Sequence, residues 1–262
     1  MPPLPTVLIT GASSGIGATY AKRFARRGHD LVLVARDKAR LEALAARLRA
    51  ECKVAVDVLP ADLTKSDDLS VIESHLRDDA RIGILINNAG VPQSKGFLEQ
   101  TAESIESLIA LNTTALTRLA AAVAPRFVRS GTGAIVNIGS VVSFAPEFGM
   151  SIYGASKAFV LFLSQGLNVE LAPKGVYVQA VLPAATRTEI WKKGGMDVNT
   201  LPEVMEVEEL VDAALVGFDR RELVTIPPLH VAERWDALDD ARQGLMSDLR
   251  QAHAAERYQR QT

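Results

Sequence analysis

Cysteine is almost missing from this sequence: Cys52 is the only one in 262 residues, so no disulfide can close within the chain and a reducing compartment is expected. Charge of one sign is missing too. The 29 Lys and Arg stand against 31 Asp and Glu, a formal net charge of −2, and this removes the electrostatic reason to expect nucleic acid or a membrane surface as partner. No apolar run approaches the ~18 residues of a membrane span, and Met1-Pro-Pro-Leu-Pro5 lacks the basic start of a signal peptide. A soluble, cytoplasmic protein is expected. The four histidines, His29, His75, His230 and His253, are scattered without ligand spacing, so no metal site is expected either. What is abundant is core material: 48% of the residues are hydrophobic, enough for one large α/β domain.

Short β-branched runs alternate with helical periodicity. Strands are expected at Val7–Thr10, Leu31–Ala35, Val54–Leu59, Ile82–Ile86, Ala134–Ile138, Val176–Leu182 and Leu223–Ile226. Helices are expected after Gly15 and over about 38–50, 66–76, 102–129, 151–171 and 207–218. This alternation implies a parallel sheet covered on both faces, in a single domain over residues 1–262. A loose segment, about 184–206, reads as a lid near the site or as a surface excursion. A charged helical tail follows from about 230, its candidate buried positions being Trp235, Leu238, Leu245 and Leu249.

Chemistry concentrates at Tyr153-Gly-Ala-Ser-Lys157, preceded by Ser140 at the close of an apolar strand. A tyrosine and a lysine at i and i+4 share one helix face. An ammonium beside a phenol favours the phenolate and is expected to lower its pKa from ~10 toward working range. With Ser140 at a strand's carboxyl end, where open α/β sheets bind ligands, the three suggest proton transfer at a carbonyl oxygen.

Gly11-Ala-Ser-Ser-Gly15-Ile-Gly17 joins the first strand to the first helix. Gly11 permits the turn, Gly15 admits a pyrophosphate, Gly17 lets helix pack on strand, and the helix N-terminus presents N–H groups at Ser13, Ser14 and Ile16. A plain βα turn would also explain the triplet, but its place after the first strand favours a dinucleotide. Where an NAD site carries an acid after the second strand, this chain has Ala35 and then Arg36, which suits the 2′-phosphate of NADP(H) over NAD(H), with Ser13 and Arg40 assisting. Asp62, with Leu63, stands where an adenine contact or a capping aspartate would look alike. Asn88-Ala89-Gly90 fits either close approach to a ligand or a strand-end turn.

With these residues assembled, the chain resembles the short-chain dehydrogenase/reductase family, over roughly residues 6–226. The resemblance implies a doubly wound, Rossmann-type sheet of seven parallel strands and reversible carbonyl reduction. It implies Tyr153 as general acid and base, Lys157 as its modulator and ribose ligand, Ser140 orienting the substrate oxygen, and Asn112 holding a water that relays protons to Lys157. It adds Pro183, Ala185 and Thr188 as contacts near the nicotinamide, although Ala184 stands where the family usually has glycine. It implies a homodimer or homotetramer paired through the helices at 102–129 and 151–171. Val141, Val142, Phe144, Phe148, Phe97, Ile190 and Trp191 are expected to border a pocket for a small apolar carbonyl or alcohol. The alternative is a non-catalytic dinucleotide-binding scaffold on the same fold, which would not need Ser140, Tyr153 and Lys157 together.

Overall fold

Seven short apolar strands line up in parallel in the order β3-β2-β1-β4-β5-β6-β7. A computed structural model of the chain describes residues 3–93, 95–189, 191 and 197–258. The strands are β1 (Thr6–Thr10), β2 (Leu31–Ala35), β3 (Val56–Pro60), β4 (Ile82–Asn87), β5 (Gly133–Ile138), β6 (Val176–Val181) and β7 (Val224–Thr225). Helices α1 (Gly15–Arg26), α2 (Lys38–Cys52), α3 (Ser66–Asp78), α4 (Ala102–Ile109), α5 (Leu116–Ser130), α6 (Ser151–Leu171) and α7 (Val207–Asp219) fill the connections. The seven-stranded doubly wound sheet is therefore as expected.

Central strands buried on both faces read as unbroken apolar runs because neither side meets water. The core accordingly divides by face. Val7, Ile9, Leu31 and Leu33 pack with Phe24, Leu41, Leu48 and Leu215 on one side. Leu8, Val32, Leu85 and Ile135 pack with Ile72, Leu76, Leu119, Val123 and Phe127 on the other. On the first side two bidentate ion pairs, Arg23–Asp212 and Arg27–Asp219, tie α1 to α7.

Two elements differ from the expected ones. β3 starts at Val56 and runs to Pro60, and as an edge strand it tolerates a residue that cannot donate to a neighbour. The long helix is not uniform: between α4 and α5 it widens into a π-helical stretch, Ala110–Ala115. That continuous stretch, Ala102–Ser130, also contains an 18-residue window of mean hydropathy 1.3, so by length and composition it would pass for a membrane span. Its apolar face lies on the sheet instead, with Leu119, Val123 and Phe127 in the second core.

The described residues separate into two compact units, Met1–Pro227 and Pro228–Thr262. The second holds α8 (Glu233–Asp248) and a 3₁₀ turn, Glu256–Tyr258, and no residue of α8 is buried. Within that unit Leu238, Leu245 and Leu249 are exposed and Trp235 is half-buried. The last tail residues, Gln261 among them, lie outside the described residues.

Candidate active site

A parallel sheet gathers all strand ends of one polarity at one edge. Here that edge collects Gly11 after β1, Arg36 after β2, Asp62 after β3, Asn88 after β4, Ser140 after β5 and Pro183 after β6. The strand order reverses between β1 and β4, and ligands of open α/β sheets bind in the crevice at such a switch point.

The turn after β1 is held by the chain itself. Asn88 Nδ2 donates to the carbonyls of Thr10 at 2.9 Å and Gly11 at 3.3 Å, while Thr10 Oγ1 accepts from the amides of Asn88 and Ala89, both at 3.0 Å. A Cβ on Gly17 would stand 2.5 Å from both Asn88 Nδ2 and the Gly11 oxygen, so glycine is enforced there by backbone contact. Gly11 and Gly15 have φ of 67° and 54°, which side chains rarely adopt. Ser14, the N-cap of α1, makes no side-chain cap bond, and no acid stands in the first turn. The first amides of α1 therefore present a positive end suited to phosphate. Thr188 lies over this turn, its methyl 3.2 Å from where a Gly15 Cβ would be.

Arg36 makes no ion pair among the described residues; Arg40 is already matched by Glu189 at 2.6 Å and Asp37 at 3.4 Å. Asp62 Oδ1 accepts from both the amide and hydroxyl of Thr64, which is the capping arrangement left open by the sequence. Burial opposes its ionisation, but the Thr64 hydrogen bonds and the charge of Arg36 outweigh it and hold the carboxyl below its ordinary value. Ala184 is not at positive φ, so the missing glycine leaves no strain there. Ser140 Oγ and the Val141 amide both donate to the Pro183 carbonyl, at 3.3 and 3.0 Å. The glycine turn, the open helix start and the basic group after β2 together fit a dinucleotide carrying a 2′-phosphate.

At the other end, α6 carries Tyr153 and Lys157 on one face. The Ser140 side chain stands near enough to the Tyr153 phenol to favour its ionised form. Lys157 is buried; its Nζ donates to the Ile138 carbonyl at 2.8 Å and lies 5.7 Å from the centre of the Tyr153 ring. Burial lowers the ammonium to about 8. Burial also pushes the Tyr153 phenol up to about 12, the Ser140 side chain pulling the other way. The expected lowering by Lys157 is therefore reversed in this structure. The ammonium faces the ring and commits a hydrogen bond to Ile138, while the hydroxyl loses water, and desolvation wins.

Asn112 lies in the π-helical stretch and is buried. Its Oδ1 accepts from the Val91 amide at 2.9 Å and its Nδ2 donates to the Val91 carbonyl at 2.9 Å and Ser156 Oγ at 3.2 Å. Gly90 sits between Asn112 and Lys157: a Cβ there would be 3.2 Å from Asn112 Oδ1 and 3.6 Å from Lys157 Nζ. Sequence reasoning missed a second buried relay, Asn87 to Asn137 at 3.0 Å and Asn137 to Ser164 at 2.9 Å, which pins α6 to the sheet. Asn137 inside an apolar strand was its only signal. It also missed Gln93, whose Oε1 accepts from the amides of Ile152 and Tyr153, both at 3.1 Å.

Of the expected pocket border, Val142 is buried, whereas Phe97, Phe144 and Phe148 are exposed on short 3₁₀ turns and so are not core packing. Trp191 Nε1 donates to the Thr186 carbonyl at 2.7 Å. Ile190 lies outside the described residues.

The family model for short chain dehydrogenases matches residues 5–198. The chain belongs to the short-chain dehydrogenase family. The short-chain dehydrogenase from Sphingobium yanoikuyae in complex with NADPH is 83% identical, with a TM-score of 0.97, over 98% of this chain and 100% of that one. The bulky-bulky ketone specific alcohol dehydrogenase from Comamonas testosteroni is 71% identical, with a TM-score of 0.93, over 98% of this chain and 100% of that one. Very-long-chain 3-oxoacyl-CoA reductase-B of Danio rerio is 34% identical over 199 residues, 74% of this chain and 64% of that protein. The chain thus spans under two thirds of the length of the curated relatives it matches first.

Proposed function

We propose that this short-chain dehydrogenase interconverts ketones and secondary alcohols with NADP(H). The observation that carries the reading is the meeting of Ser140, Tyr153 and Lys157 at the sheet's carboxyl edge, with the Lys157 ammonium 5.7 Å from the centre of the tyrosine ring. NADP(H), when bound, exchanges hydride with the substrate carbon. Tyr153 gives a proton to the carbonyl oxygen in reduction and takes one in oxidation. With its phenol held at about 12, it stands protonated at neutral pH, the form reduction needs. Ser140 donates to the same oxygen and orients it. Lys157 and the Asn112 turn, through a water, return the proton to Tyr153.

Gly11 to Gly17 take the pyrophosphate against the amides of α1, with Thr188 above them. Arg36 takes the 2′-phosphate, with Ser13 beside it; Arg40, already paired to Asp37 and Glu189, contributes less. Asp62 and Leu63 border the adenine, and Asn88, Ala89, Gly90, Pro183 and Ala185 the remainder. The substrate is a ketone bulky on both sides of the carbonyl: the exposed Phe97, Phe144 and Phe148 supply apolar walls, and the 71%-identical Comamonas enzyme is described as specific for such ketones. Exposed Ile109 on α4 and Phe159, Phe162 and Val169 on α6 support pairing of copies as a homodimer or homotetramer. A cytoplasmic location fits the lone cysteine. No observation favours the non-catalytic alternative.

The test follows NADPH oxidation with a series of aryl and alkyl ketones, NADH being run in parallel. Turnover of bulky ketones that vanishes in Tyr153→Phe is expected. Failure to oxidise NADPH with any ketone, or undiminished turnover by Tyr153→Phe, would overturn the reading.

A further inference from the structure

Helix α6 begins at Ser151 without a capping side chain of its own: its N-cap, Met150, offers no oxygen, and no side-chain cap bond is made. The first amides of a helix have no intrahelical acceptor, and an N-cap side chain normally accepts from the second or third. Here the second and third are Ile152 and Tyr153, and both donate at 3.1 Å to Gln93 Oε1, which comes from the loop after β4. Gln93 Nε2 donates in turn to the Lys95 carbonyl at 2.9 Å, which also accepts from Gln100 Nε2 at 2.6 Å. Gln100 Oε1 accepts from Ser104 Oγ at 2.9 Å, and Ser104 forms the capping box of α4 with Thr101. An unbroken line of hydrogen bonds thus runs from the start of α4 to the backbone of Tyr153.

We propose that Gln93 is a positioning residue for catalysis, capping α6 from another loop and thereby fixing the Tyr153 phenol against Ser140. This inference rests on Tyr153 being the acid-base group. The first turn sets the direction of the Tyr153 Cα–Cβ bond, and displacement of a reacting group by ~1 Å can cost on the order of 100-fold in rate. A loosened first turn costs turnover while the phosphate cradle, held by Asn88, is untouched.

Gln93→Met keeps length and removes the acceptor. Its kcat for ketone reduction should fall about tenfold with KM for NADPH within about twofold of wild type. Adding Met150→Ser, which gives α6 a cap of its own, should restore most of the loss. Gln93→Glu keeps the acceptor and should retain kcat in reduction. Thermal melting and NADPH binding, measured on every variant, show which are folded. Should Gln93→Met depress melting and NADPH binding, Gln93→Glu decides instead: it keeps the acceptor, and a folded, NADPH-binding Gln93→Glu that has lost kcat would overturn the proposal. Full kcat in Gln93→Met, or a loss confined to the ketone KM that Met150→Ser leaves unrepaired, would overturn it as well. Tyr153→Phe in the same assay separates the two readings: an active Tyr153→Phe defeats the acid-base assignment itself. An inactive one beside a fully active Gln93→Met defeats only the role of Gln93.

Discussion

The two ends of the cleft are held by different means. At the phosphate end the parts are backbone and absent side chains: Gly11 and Gly15 at positive φ, Gly17 jammed against Asn88 and the Gly11 oxygen. At the chemical end the parts are side chains on α6, located by side-chain amides from other elements, namely Asn137 to Ser164, Asn112 to Ser156, and Gln93 to the first turn. A turn made of missing atoms tolerates no additions, and its glycines have nothing to titrate. A site made of donors and acceptors tolerates substitution structurally and fails in rate and pH dependence. Perturbing each end tests that contrast.

The largest effect belongs to the chemical end. Tyr153→Phe keeps the ring and loses the proton, so kcat should fall by ~10²–10⁴-fold, the usual contribution of a positioned acid. Melting temperature and NADPH binding should barely change; a comparable loss in NADPH affinity would mean that the tyrosine holds the cofactor more than it does chemistry. Gly17→Ala is the counterpart. Its Cβ meets Asn88 Nδ2 and a backbone oxygen at 2.5 Å, and the backbone partner cannot move aside cheaply. Stability should drop by ~1–3 kcal/mol, the usual range for overpacking, and NADPH binding should be lost with it. A denaturant melt at pH 7 and pH 9 should give the same deficit, since no titrating group is involved.

Arg36→Ala acts within the phosphate end but on charge. A charge-assisted hydrogen bond is worth ~1.5–3 kcal/mol, so KM for NADPH should rise roughly 10- to 100-fold with NADH unchanged. Arg40→Ala should do less, because Glu189 and Asp37 already occupy that guanidinium. Equal losses for the two arginines would show that the 2′-phosphate draws Arg40 out of its ion pairs.

The order of difficulty in reading this protein follows the range of the interactions. Alternating apolar runs and helical periods are local, and they placed the sheet, the glycine turn and the strand-end Ser140. Tyr153 and Lys157 were legible because four residues along a helix is one turn. What escaped is long in sequence: Gln93 meets Tyr153 across 60 residues, and Arg40 meets Glu189 across 149. The π-helical stretch at Asn112 escaped because Val91, on another loop, satisfies that amide. The direction of the Tyr153 shift escaped because i,i+4 spacing reports proximity to an ammonium and nothing about the burial of the phenol.

Lys157 gives the smallest effect on stability at pH 7 and the sharpest test, because two opposed costs nearly cancel. Its pKa falls from 10.5 to about 8 through burial alone, so the folded state gives up this proton more readily than the unfolded chain does. Below about 8 both states hold the proton and folding carries the full penalty, on the order of 3 kcal/mol. Between about 8 and 10.5 the unfolded state binds more protons than the folded one, so stability rises with pH; above 10.5 the penalty is gone. Lys157→Met removes the charge but leaves the Ile138 carbonyl without its donor, which costs ~1–3 kcal/mol. At pH 7 the two terms offset and the variant should melt within a few degrees of wild type while losing activity. Urea melts at pH 7, 9 and 10.5 should then diverge, wild type gaining on the variant as pH rises. Parallel curves would mean that the ammonium is hydrated in solution, and the contrast between a pH-indifferent glycine turn and a titrating chemical end would fail at its central residue.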